Sequence, residues 1–245
     1  MSELYNRIGI NYANLRRPDE RIAKQIDAAL GDARSVLNVG AGSGSYEPKS
    51  RQVVALEPSA EMIRQRLSGS ARVVQGAAED LPFESNSFDA AMGILTIHHW
   101  ADAAAGLREM CRVAKDRVVI LTYDPQFRGQ WQTEYWPEFI DLDERVMPPL
   151  GFFEENLGDV HISPVLVPHD CTDGFLYAYW RRPEASLDPV VRKGSSGFWM
   201  IDQVEEGVRR LESDLETGAW AKRNKRLLDA EAIDVGYRLV VARQQ

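Results

Sequence analysis

The chain has 245 residues, 44% of them hydrophobic and 27% charged, with a formal net charge of −8 and a sequence pI near 5.1. That balance argues against a nucleic-acid binder, which needs a basic face to displace counterions from a phosphate backbone, and it lies far from the composition of disordered chains. The longest nearly apolar stretch, Ala90 to Ile97, is well short of the roughly 20 residues that cross a bilayer, and Met1 to Asn11 carries no apolar leader segment. The expectation is a cytosolic protein with neither a nucleic-acid nor a membrane partner. Cys111 and Cys171 have no C-x-x-C spacing and read as reduced thiols, Cys111 as a small buried apolar residue, with no metal site.

In chain order, Pro18 and Asp19 open a helix over Asp19–Leu30 with an apolar face at Ile22 and Ile26, and Gly31 stops it. Ser35 to Val39 is a buried strand that ends in Gly40-Ala41-Gly42-Ser43-Gly44. A second strand over Val53 to Leu56 ends at Glu57, and a helix over Ser59 to Leu67 follows with Ser59 as its cap. Arg72 to Gln75 and Phe88 to Leu95 are the third and fourth strands, Ala103 to Lys115 is a helix, and Val118 to Tyr123 is the fifth strand. Strands alternating with helices predict an α/β fold with a parallel sheet.

Beyond Tyr123 the texture changes. Residues 126–160 hold eight acids against two bases, so that one segment carries −6 of the net charge, and it also contains seven aromatics, Trp131 and Trp136 among them. Val160 to Val167 reads as a strand, Asp202 to Thr217 as an amphipathic helix, and Tyr237 to Ala242 as a last strand. The whole reads as one domain: an N-terminal flap and helix over 1–34, a core over 35–125, a lid with a helical insertion over 126–236, and a closing strand over 237–245.

The chemistry-bearing pattern is a strand, a Gly-rich turn and an acid at the tip of the next strand. Glycines admit a ligand where a Cβ would collide, and a carboxylate at the second strand tip can accept hydrogen bonds from both hydroxyls of a ribose. The pair predicts a site for an adenosine-containing cofactor. The dinucleotide fingerprint G-x-G-x-x-G is not met, because Ser45 stands where its third glycine belongs, and no Lys-Ser or Lys-Thr completes a P-loop. Only two turns of helix fit between Gly44 and Val53, with Pro48 inside. A stunted helix there disfavours a pyrophosphate ligand, which rests on a helix N-terminus.

Three runs then show a resemblance: Leu37-Asn38-Val39-Gly40-Ala41-Gly42-Ser43-Gly44, Val54-Ala55-Leu56-Glu57-Pro58-Ser59-Ala60-Glu61-Met62 and Gly76-Ala77-Ala78-Glu79-Asp80-Leu81-Pro82-Phe83. Over residues 34–122 the chain resembles the class I S-adenosylmethionine (SAM)-dependent methyltransferases of type 11, the UbiE-like kind. The resemblance implies a Rossmann-like, seven-stranded, mostly parallel sheet in the order 3-2-1-4-5-7-6, with helices on both faces and the helical insertion between the last two strands. It implies SAM as cofactor, with Gly40, Ala41 and Gly42 against its methionine part, Glu57 on the ribose, and Pro58 and Met62 about the adenine. Ala78 would offer its N–H with Glu79 alongside, and Gly93 and Ile94 would face the methionine amine. Asn38 stands where the family usually has an acid, and Ala77 where it usually has Asp; Asn38 can orient the turn but brings no charge. Tyr12 or Arg17, in a region that often forms a flap, would bind the SAM carboxylate.

Methyl transfer needs alignment, and a general base only where the acceptor must lose a proton. His98, His99 and Tyr123, at the C-terminal edge of the sheet, are the candidates to act on the acceptor, His98 first; the histidines also suit a role in packing and capping that turn. The aromatics of 126–160 would enclose a small-molecule acceptor, their acids favouring an amine, and a homodimer is the assembly to test. A nucleotide-dependent oxidoreductase and a catalytically silent SAM-binding partner subunit remain as alternatives.

Overall fold

The computed structural model describes residues 16–244; Tyr12 lies outside them. Helix α1 (Glu20–Ala29) starts where the Asp19 side chain accepts the Arg21 N–H at 2.9 Å, buries Ile22 and Ile26, and ends before Gly31 at φ +54°. Strands β1 (Ser35–Val39), β2 (Gln52–Glu57), β3 (Arg72–Gln75), β4 (Phe88–Ile94) and β5 (Ala114–Tyr123) are parallel. Strand β6 (Val160–Pro168) pairs antiparallel with β7 (Ala232–Arg243), and β7 pairs antiparallel with β5, so the sheet runs β3-β2-β1-β4-β5-β7-β6.

Alternation along the strands gives the sheet two covered faces, the condition for parallel strands. Val36, Met92, Val119 and Leu121 point into one core with α1, while Leu37, Val39, Val118 and Ile120 point into the other against Leu107 and Met110 of helix α3 (Ala103–Val113). A one-residue slip of register would exchange these sets.

Some elements differ from expectation. Helix α2 is only Ala60–Arg64, because beyond it Leu67 is 78% exposed and the Arg66 guanidinium turns back to Glu47 at 2.7 Å and the Gly42 carbonyl at 3.2 Å. No helix forms between Gly44 and Arg51, where the chain runs in turns through Gly44 at φ +95° and Tyr46 at φ +61°. The last strand begins at Ala232, five residues before the predicted start, since its first part pairs with the end of β6. Cys111 is half-buried and takes a Gln244 side-chain hydrogen bond at 3.4 Å.

The segment after β5 folds into α4 (Gln132–Tyr135), α5 (Glu138–Val146) and α6 (Leu150–Leu157). Between β6 and β7 come α7 (Pro189–Lys193), α8 (Val204–Glu216), α9 (Ala219–Arg223) and α10 (Lys225–Leu228), with short 3-10 turns. The aromatic reading of 126–160 needs correction. Trp131, Tyr135, Trp136, Phe139 and Phe153 are core residues, and none of the seven aromatics borders either cavity described below. Trp136 Nε1 donates to the Val204 carbonyl at 3.0 Å, and the ring fills the space over Gly207, where a Cβ would stand 2.1 Å from Nε1. Trp131, Tyr135, Trp136 and Phe139 fasten the segment to the turns and helices after β6 and are spent in doing so, while Phe153 packs into the other core with Leu107 and Met110.

Candidate active site

Parallel strands deliver their C-terminal ends to one edge, and the chain leaves β1 and β4 in opposite directions across the sheet, which opens a crevice there. A cavity of about 320 Å³ occupies that crevice. Its floor is the turn after β1. Gly40 has φ +67° and a Cβ on it would lie 2.0 Å from Thr96 Oγ1; at Gly42, φ +53°, a Cβ would lie 3.3 Å from Met62 Cε. Only glycine fits the first position on both counts.

Glu57, at the tip of β2, reaches across to the turn. Its Oε2 accepts the Gly42 N–H at 2.8 Å and its Oε1 the Ser59 N–H at 2.9 Å. Burial pushes its carboxyl above the ordinary carboxylate range, and those two N–H groups, then Arg66, offset this only in part. The rest of the wall includes Ala41, Pro58, Met62, Ala78, Glu79 and Ile94. Glu79 Oε1 accepts the Ala101 and Asp102 N–H groups at 2.7 and 3.1 Å, fixing the turn that carries Trp100.

Asn38 and Gly93 do not border the cavity. Asn38 is 1% exposed and its Nδ2 donates to Glu47 Oε1 at 3.3 Å, while Glu47 pairs with Arg66. An acid at position 38 would face another acid, so the amide there follows from Glu47. Arg17 is exposed and away from the cavity; its neighbour Arg16 borders it instead. The Arg16 Nε lies 2.6 Å from Asp173 Oδ1, and Tyr46 donates its hydroxyl to Asp173 Oδ2 at 2.9 Å. Nothing in the sequence distinguishes these two adjacent arginines; only the pairing of Arg16 with Asp173, 157 positions away, selects one.

A second cavity, about 60 Å³, shares Arg16, Leu95 and His99 with the first. His98 and Tyr123 border this second space, as do Asp143, Phe175, Tyr177 and Tyr237. The His98 and His99 ring centroids are 3.8 Å apart. Burial, and less strongly the Arg16 charge, pulls His98 down to about 4, so its imidazole is neutral; burial lowers His99 well below the ordinary histidine value too. Burial raises the Tyr123 hydroxyl, which accepts a hydrogen bond from Gln130. Asp143 carried no sequence signal beyond being one of many acids in its segment.

Comparison with known proteins agrees with this geometry. Residues 37–122 match the model of a methyltransferase domain. A crystal structure from Anabaena variabilis, assigned as a methyltransferase from an antibiotic biosynthesis pathway, superposes with a TM-score of 0.85 at 32% identity, covering 93% of this chain and 98% of that one. The uncharacterised methyltransferase YcgJ of Bacillus subtilis is 31% identical over 122 residues, 45% of each chain. The ubiquinone/menaquinone biosynthesis C-methyltransferase UbiE of a Geobacter strain is 32% identical over 143 residues, 50% of this chain and 57% of that protein. The chain thus spans about half the length of these two curated relatives. The fold and site define a class I SAM-dependent methyltransferase. The chain belongs to the SAM-dependent methyltransferase family, residues 37–122 being its type 11 methyltransferase domain.

Proposed function

We propose that the protein transfers a methyl group from SAM to a small-molecule acceptor, the donor lying in the larger cavity and the acceptor in the smaller. The observation that carries this reading is the Glu57 bridge to Gly42, which sets a carboxylate at the rim of a glycine cradle. The residues present fit the cofactor. At Gly40 a Cβ would collide with Thr96, which borders the same cavity, at Gly42 it would crowd Met62, and the volume of the cavity suits a ligand of this size.

In this reading Gly40, Ala41 and Gly42 border the methionine part and Glu57 accepts from the ribose hydroxyls, while Pro58 and Met62 enclose the adenine beside Ala78 and Glu79. Ile94 and Arg16 stand toward the amino-acid end, Arg16 taking the part foreseen for Arg17. When bound, SAM supplies a methyl group already activated by a sulfonium. The chain's own contribution is then to align the acceptor and exclude water. His98 and Tyr123, with His99 in the shared wall, orient the acceptor, and the neutral His98 imidazole can accept a hydrogen bond from it. Among the described residues no helix is long and apolar enough to cross a membrane; a cytosolic location and the lack of a nucleic-acid partner rest on the composition.

Calorimetry with SAM, S-adenosylhomocysteine and NAD tests the donor site. Binding of the first two and not of NAD is expected. Preference for NAD would overturn the reading in favour of an oxidoreductase.

A further inference from the structure

The smaller cavity contains an acid that the methyl-donor site does not use. Asp143, on α5, is 6% exposed, and its one hydrogen bond among the described residues comes from the Tyr177 hydroxyl, at 2.8 Å. Tyr177 itself is held at φ +70°, a conformation that bulky side chains rarely adopt, and Leu95 in the shared wall has φ +51°. Strained backbone of this kind persists where the surrounding structure fixes it and concentrates at ligand sites. Here it brings a hydroxyl onto a buried carboxylate at the edge of an empty space.

The charges around that space are unbalanced. Arg16 also borders it, but its guanidinium is engaged by Asp173, which is fully buried. Arg128 acts on Asp143 only weakly, being half exposed and paired with Glu144. The other titratable groups facing the chamber are His98, His99, Tyr123, Tyr177 and Tyr237, none of which can be a counter-ion: burial holds the histidines neutral and raises the tyrosines. Among the described residues, the chamber therefore presents a carboxylate among aromatic walls, and the one cation bordering it, Arg16, is engaged by Asp173. Aromatic rings are surroundings that a partly desolvated cation tolerates well.

Resting on the methyltransferase reading, we propose that this cavity is an ammonium-binding chamber, with Asp143 as the counter-ion of a small primary amine that is the methyl acceptor. At 10–15 Å³ per water-sized centre, a volume of about 60 Å³ admits roughly five heavy atoms. For the nitrogen to react, one N–H bond breaks, its electron pair stays on nitrogen, and the proton passes to a carboxylate oxygen of Asp143. Burial lifts that carboxyl to about 7, opposed by the Tyr177 hydrogen bond and then by Arg128, which places it where a group can both take a proton and release it to water.

The test is a ligand-observed NMR titration at pH 7.5 of the full chain saturated with S-adenosylhomocysteine, comparing n-butylamine with 1-butanol, equal in heavy atoms but neutral. The amine is expected to bind at least tenfold more tightly. In Asp143→Asn that preference disappears while S-adenosylhomocysteine affinity stays within twofold, and Tyr177→Phe, which keeps the carboxylate, retains the preference. Equal binding of the two ligands to the unmodified protein, no binding of either, or a preference that survives Asp143→Asn overturns the proposal. The unmodified-protein comparison decides even if a variant does not fold. Failure of S-adenosylhomocysteine to bind, with the amine preference intact without it, would sink the donor reading alone.

Discussion

Glu57 and Gly42, fifteen positions apart, are joined by a 2.8 Å hydrogen bond from the glycine N–H to the glutamate Oε2, which locks the turn after β1 to the tip of β2. Glu57→Ala removes this acceptor, the one for Ser59 and the proposed ribose ligand together. Charge-assisted hydrogen bonds of this kind are worth about 1–3 kcal/mol each, so SAM affinity is expected to fall by that order. Calorimetry against SAM reads it directly, and undiminished affinity would displace Glu57 from the site.

Gly40→Ala tests the cradle. The new methyl would meet Thr96 Oγ1 at 2.0 Å and force an alanine to φ +67°. A loss of at least about 2 kcal/mol in unfolding free energy is expected from urea denaturation. Adding Thr96→Ala should return only part of it, because the backbone strain remains.

Trp136→Ala should damage stability and leave acceptor selection alone. The ring is fully buried and hydrogen-bonded to Val204, so truncation is expected to cost about 3–5 kcal/mol. A shift in acceptor KM with unchanged stability would restore the lid role that the sequence suggested for it.

Asp143 gives stability an uncommon pH dependence. Its folded pKa, about 7, lies above the ordinary 3.8, so the native state binds the extra proton and stability drops as pH rises between those values. His98 has the opposite sense: with a folded value of about 4 against 6.5, its contribution is lost as pH falls through that interval. Asp143→Asn should therefore gain on the unmodified protein between pH 4 and pH 8, by something on the order of 4 kcal/mol. Thermal melts across that range check it, and parallel curves for the two proteins would show that Asp143 ionises without penalty.

How much the sequence revealed depended on whether a signal was local. Gly40, Gly42, Glu57, Pro58 and Met62 lie on two short runs with strand periodicity before them, and they meet around one cavity. Asp19 and Ser59 cap helices through side-chain bonds two and three residues long. What could not be read was set by distant pairing: Arg16 rather than Arg17 by Asp173, the amide of Asn38 by Glu47, and the shortness of α2 by the return of Arg66. The tryptophans of the acidic segment misled for the same reason. An aromatic among acids looks like a ligand wall until the helices that cover it, folded from residues some 70 positions later, are in place.

The wall shared by the two cavities is also a seam in the chain. Apart from Arg16, every described residue around the larger space falls within 40–101, whereas the smaller one draws on 95–99 and then on scattered positions from 123 to 237. Descent can thus rewrite the later segments, and with them the choice of acceptor, while inheriting the donor apparatus unaltered. Arg16, Leu95 and His99 are the hinge of that inheritance: a change at any of them alters both chambers at once, so those three positions should diverge more slowly than the walls on either side.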